Sequence, residues 1–149
     1  MSNKELEKLS REIELLSAEF ANIYTKLISK FEKYTTAPEI TKLKHYWDTA
    51  VGLLGKRGTV IEMVDYFIKY KDLILAEKVE ELLRIDYAKE IKPGTQADTQ
   101  NLIIKLIDIF KSSWLKSTPV DKVHIKTYIS TLTLRSVSIK ENLIKINAI

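Results

Sequence analysis

A chain of 149 residues that is 45% hydrophobic and 30% charged has the length and mixture of one globular domain, here residues 1–149, able to bury a core without staples. The absence of cysteine excludes a disulfide framework, thiolate catalysis and every cysteine-containing zinc site. A net charge of +4, spread over the C-terminal segment and around Lys42, Lys44, Lys56 and Arg57, is milder than the basic stripe of a dedicated nucleic-acid binder.

The N-terminus, Met1-Ser2-Asn3-Lys4-Glu5, lacks the basic start and apolar stretch of a signal peptide. Ser2 and Glu5 instead form a capping box that opens a helix running to about Tyr34. Along it, Leu6, Leu9, Ile13, Leu16, Phe20, Ile23 and Leu27 alternate at spacings of three and four, a heptad seam held for more than three heptads. Few compact domains of this size need so long an apolar rod, so these seven residues are the expected protein interface.

Thr36-Ala37-Pro38-Glu39 gives a second start signal, and Ile40, Leu43, Trp47, Val51 and Leu54 mark one face of the helix that follows. Gly55-Lys56-Arg57-Gly58 is expected to be a tight turn, with Thr59 and Glu62 as the capping box of a third helix carrying Ile61, Val64, Phe67 and Ile68. That helix is expected to continue through Leu75, Val79 and Leu82 to about Ile91, with Tyr70-Lys71-Asp72 as the place for a kink or break. Lys92-Pro93-Gly94-Thr95-Gln96-Ala97 is the clearest loop, because proline and glycine stop a helix and the polar residues offer nothing to bury.

From about Asp98 to Lys116 a fourth helix is apolar on nearly every face, and should be the most buried element. Thr118-Pro119-Val120-Asp121 opens the last segment, where Ile125, Ile129, Leu132, Ser136, Ile139, Leu143 and Ile146 keep a second 4-3 seam. Thr127, Thr131, Thr133 and Val137 are β-branched and favour strands, so both helix and strand stay open for residues 120–149; a lone hairpin would have no sheet to join. No apolar run approaches the roughly 20 residues that span a bilayer. The expected fold is all-α, a bundle of about five helices with a long N-terminal helix.

Few residues offer chemistry. His45 and His124 have no carboxylate or second histidine at metal-ligating helical spacing, and no serine or threonine sits in a nucleophile turn. Glu77, Glu80 and Glu81 interleave with Lys78 and Arg84, the pattern of a solvated helix face laced with ion pairs. Tyr66, Phe67 and Tyr70 beside Lys69 and Lys71 suit core and boundary packing, a partner interface or base stacking. No catalytic residue, metal site, cofactor or small-molecule substrate is expected.

Leu54-Gly55-Lys56-Arg57-Gly58-Thr59-Val60-Ile61-Glu62-Met63-Val64 resembles the core of KH domains, in which a G-x-x-G turn between two helices, with basic residues at the centre, clamps a single-stranded nucleic-acid backbone. The resemblance implies that Gly55, Lys56, Arg57 and Gly58 would form the clamp. A plain connection between two helices accounts for the same letters, with glycine ending one and threonine capping the next.

Two functions therefore stand as expectations. The first is a non-catalytic assembly or scaffold protein, a structural subunit of a larger complex or virus particle, working in the cytoplasm or virion by self-association or through a protein partner. The second is a nucleic-acid-binding module built on the 55–58 turn.

Overall fold

A computed structural model of the chain describes residues 2–90, Gly94 and residues 96–146. Among them there are six α-helices, one short 3-10 helix and no strand, so the fold is an all-α bundle. The helices are α1 (Asn3–Phe31), α2 (Ala37–Lys69), α3 (Lys71–Leu75), α4 (Val79–Leu83), α5 (Ala97–Lys116) and α6 (Pro119–Lys145), with the 3-10 helix at Tyr87–Glu90. The loop expected at Lys92 to Ala97 lies largely outside the described residues.

α1 begins where its capping box says it should, the Ser2 hydroxyl accepting from the Glu5 N–H at 3.2 Å. At about 43 Å it spans the whole bundle, packing chiefly on α6 and also on α2. The ion pairs give the directions: Lys30 meets Asp121 and Glu19 meets Arg135, so α1 and α6 run antiparallel. Glu32 with Lys44 and Glu14 with Arg57 place α2 antiparallel to α1 in the same way. α5 leans mostly on α2, so the two helices joined by Ser117 and Thr118 are held by different partners.

One core runs through α1, α2, α5 and α6, centred on Phe20, Phe31, Leu43, Met63, Leu102, Ile125 and Leu132. Phe20 meets Phe67 edge-on at 5.5 Å, and Tyr24 stacks on Trp47 at 4.5 Å. α5 buries eight of its twenty residues, the largest share of any of these helices, although Asn101 and Asp108 are exposed on its outer edge. Residues 119–145 form one continuous helix. The Thr118 hydroxyl caps it by accepting from the Asp121 N–H at 3.2 Å, and Ile125, Leu132, Ser136, Ile139 and Leu143 all point inward.

The β-branched threonines of α6 are accommodated locally. Thr127, Thr131 and Thr133 each donate a hydroxyl hydrogen bond to the carbonyl four residues back, at 2.9, 2.8 and 2.9 Å. That bond fixes χ1 in a rotamer the helix allows. Burial of the inward seam outweighs the modest strand preference of these residues.

Two expectations are corrected between residues 55 and 90. α2 does not end in a tight turn at 55–58: only Gly55 leaves helical geometry, at φ 78° and ψ 166°, and Lys56 to Gly58 already belong to the next helical stretch. Thr59 is therefore a full turn inside the helix, donating to the Gly55 carbonyl at 2.9 Å instead of capping.

The helix expected to run on to Ile91 also breaks, at Tyr70 as foreseen and again at Glu77. There the Lys78 N–H reaches the Leu73 carbonyl at 2.9 Å and the Glu77 N–H the Ile74 carbonyl at 3.1 Å, the pair of bonds that defines a Schellman cap. Glu77 occupies its left-handed position at φ 57°, where glycine is the usual residue. Glu77→Gly is expected to stabilise the chain by about 1 kcal/mol in a denaturant titration, because the Cβ clash disappears. The ion pair lost with it, to Lys126, is long at 3.8 Å and exposed on the Glu77 side, so it contributes little. A loss of stability would mean that the ion pair outweighs the backbone strain.

Candidate functional site

The seven residues of the first seam turn mostly inward. Ile13, Phe20 and Leu27 are buried, Leu16 and Ile23 are half-buried against the core, and only Leu6 is left exposed, with Leu9 half-exposed beside it. From Ile13 onward the seam is covered by α6 and α2 of the same chain. The long stripe is long because α1 crosses the entire bundle.

At the 55–58 corner the two cations are unlike one another. Arg57 is tied down: its guanidinium donates to Glu14 at 3.0 Å and to Ser10 at 3.3 Å, pinning α2 to α1. Lys56 is exposed. Gly58 does not open a loop, since a Cβ built on it would come within 3.1 Å of the Leu54 Cβ one turn earlier. The four residues thus form a kink and a helical turn, and the sheet that a KH-like domain would need has no strand among the described residues.

Glu77, Glu80 and Glu81 do not share a helix face either. Glu77 belongs to the Schellman cap, while Glu80 and Glu81 sit in the first turn of α4, where acidic residues complement the helix dipole. His45 and His124 are both exposed, and among the described residues no group of three His, Asp or Glu side chains is placed to hold a metal ion.

Opposite the inward seam of α6 lies a surface the sequence patterns did not single out. Val120, Val123, Thr127 and Leu134 follow one another at spacings of three, four and seven, which places them on one face of the helix. Val120 is 65% exposed, Val123 55% and Leu134 49%. Ser130, Thr131 and Ser138 complete the stripe, His124 borders it, and it carries no Asp, Glu, Lys or Arg over about 27 Å. Because Thr127 and Thr131 spend their hydroxyls on the helix's own carbonyls, they turn methyl groups outward. The chain is 30% charged, so a strip of this length without a charge stands apart from its average surface composition. Leu115, 75% exposed in the last turn of α5, lies just before the turn that leads into it.

Where α1 meets the start of α6, a polar clasp forms around the buried Asp121. Its carboxylate accepts from the Tyr34 hydroxyl and from Lys30 at 3.1 Å, with Lys33 at 3.5 Å. Tyr34 in turn accepts the Thr118 N–H at 3.3 Å.

Tyr66, Phe67 and Tyr70 help wall a cavity of about 100 Å3. α1 contributes Leu27 and Phe31, α5 contributes Ile103, Leu106, Ile107 and Phe110, and Ile74, Leu82 and Tyr87 close it from α3, α4 and the 3-10 helix. The surface it presents is almost wholly apolar.

Compared with protein-family models, curated proteins and solved structures, the chain matches none. No helix among the described residues is long and apolar enough to cross a membrane.

Proposed function

We propose that this chain is a non-catalytic protein-binding module of the assembly or scaffold kind, and that it associates with a second copy of itself through the outer face of α6. The uncharged strip from Val120 to Ser138 carries this reading. Such a face is self-complementary: two copies related by a two-fold axis bring methyl groups against methyl groups and meet no like charge. Leu6 to Leu27, the interface expected from the sequence, serves folding instead, because its side chains are committed to the core from Ile13 onward.

The nucleic-acid reading has less to stand on. Of the two cations at the corner, Arg57 is held by Glu14 and Ser10, which leaves Lys56 as the group presented to a phosphate.

Light scattering on a gel-filtration column, run over rising protein concentration, tests the proposal. The native chain is expected to shift from monomer to dimer, and the double change Val123→Glu with Leu134→Glu to remain monomeric. Both positions are largely exposed, so the two proteins are expected to melt at the same temperature under conditions where both are monomeric. A native chain that stays monomeric at the highest concentration, or a variant that dimerises as well as the native chain, would sink the proposal.

A further inference from the structure

We infer that the cavity between α2, α5 and the α3–α4 segment is a binding site for a small uncharged apolar guest, on the scale of a short alkyl chain or one unsubstituted ring. Size sets the first limit. At about 100 Å3 it is comparable with, and somewhat smaller than, the dry engineered cavity of ~150 Å3 that takes up benzene. Chemistry sets the second. A water molecule needs two to four polar partners, and walls of this composition do not supply them, so the space favours carbon over water.

The arrangement of the walls separates this cavity from an ordinary packing defect. Most of the wall comes from the four long helices, α1, α2, α5 and α6, whose contributions such as Phe31, Met63 and Phe110 belong to the main core. The rest is made of pieces only four or five residues long, with Ile74 and Leu82 as the buried anchors of α3 and α4. Short pieces of this kind open at a lower free energy than the long helices they pack on.

The half-exposed Tyr70 and Tyr87 mark the side on which the cavity approaches solvent, meeting edge to face at 5.0 Å. Tyr87 is oriented there by its own hydroxyl, which donates to the Leu82 carbonyl at 3.0 Å. Lys111 reinforces it, with its ammonium 5.2 Å from the ring centroid and donating to the Ile85 carbonyl at 2.8 Å. The Tyr87 hydroxyl and the Lys111 ammonium are thus both turned to backbone carbonyls.

The test is a titration of the full chain, labelled at isoleucine methyls, with benzene and separately with 1-butanol. Saturable shifts are expected for Ile74, Ile103 and Ile129, whereas Ile13 and Ile139, which do not line the cavity, stay in place. Saturating benzene is expected to raise the melting temperature of the native chain. Ile107→Phe, which fills the space from the α5 side, is expected to abolish both effects; should that variant fail to fold, Ile74→Phe fills it from the opposite wall. Unsaturable shifts spread evenly over all the isoleucines, or shifts identical in the native and filled chains, would overturn the inference. So would the absence of any shift with both probes.

Discussion

Gly55→Ala is expected to lower stability by ~2 kcal/mol, while Gly52→Ala, three residues earlier on the same helix, is expected to raise it by roughly 0.5–1 kcal/mol. Both glycines have open space where a Cβ would go, so crowding does not distinguish them. Backbone geometry does. Gly55 sits at φ 78° and ψ 166°, a region essentially reserved for glycine, whereas Gly52 is an ordinary helical position that pays the entropy of glycine for no gain.

A residue with a side chain at 55 must either hold that strained geometry or straighten α2. Straightening would displace the second half of α2, with Val60, Met63 and Val64, from a core that holds all three at no more than 1% exposure. For a domain of this size the loss at Gly55 corresponds to a melting temperature about 4–8 °C lower. Chemical denaturation of the two variants beside the native chain checks the prediction, and two alanine changes with the same sign would refute it.

That contrast also shows which parts of the fold were legible in the sequence. Helix starts read well because each is a local event: Ser2 with Glu5, and Thr118 with Asp121, make the hydrogen bonds that their spacing implies. Inward seams read well because three- and four-residue spacing is a property of one helix. For residues 120–149 the seam and the strand preference of Thr127, Thr131 and Val137 pull in opposite directions in the sequence, and it is the structure that shows the helix over 119–145.

Interruptions read poorly. A glycine marks a place where a helix can bend, but whether it bends by one residue or opens into a turn depends on what the next stretch must pack against. Thr59 looked like a cap and proved to be one turn inside. Glu77 gave no sign at all, because the left-handed position it occupies is one that glycine normally marks.

The candidate sites were the least legible. From sequence, Leu6 to Leu27 reads as surplus apolar surface, but surplus can be judged only once the partners are known, and α6 and α2 cover the seam from Ile13 onward. The outer face of α6 could have been found from sequence by asking which helical face lacks charge, instead of which face is greasiest: Val120, Val123, Thr127 and Leu134 answer that question. The cavity could not have been found that way. A cavity is what remains when side chains from five separate stretches fail to meet, and no local pattern records it.

The Asp121 clasp links stability to pH in a window that can be stated in advance. The Tyr34 hydroxyl first, and then Lys30 with Lys33 beyond it, hold the carboxyl down at about 2, against 3.8 in the free side chain. On acidification the unfolded chain takes up this proton before the folded one, so the contribution is complete above about pH 4. It is lost as the pH falls towards 2. The positions of the two helices favour the same sign: Lys30 lies in the last turn of α1 and Asp121 in the first turn of α6, each charge at the helix end that welcomes it.

Asp121→Asn keeps the shape, and the amide oxygen can still accept from Tyr34, but it leaves the Lys30 ammonium, 19% exposed, without its counter-charge. The variant is therefore expected to melt well below the native chain at pH 7, and the gap to narrow steadily between pH 4 and pH 2 until the two nearly coincide. Every other carboxylate is common to both proteins, so the difference between their melting curves isolates this one. A gap that stays constant across that range, or no gap at pH 7, would mean that the charge of Asp121 does not hold α1 to α6.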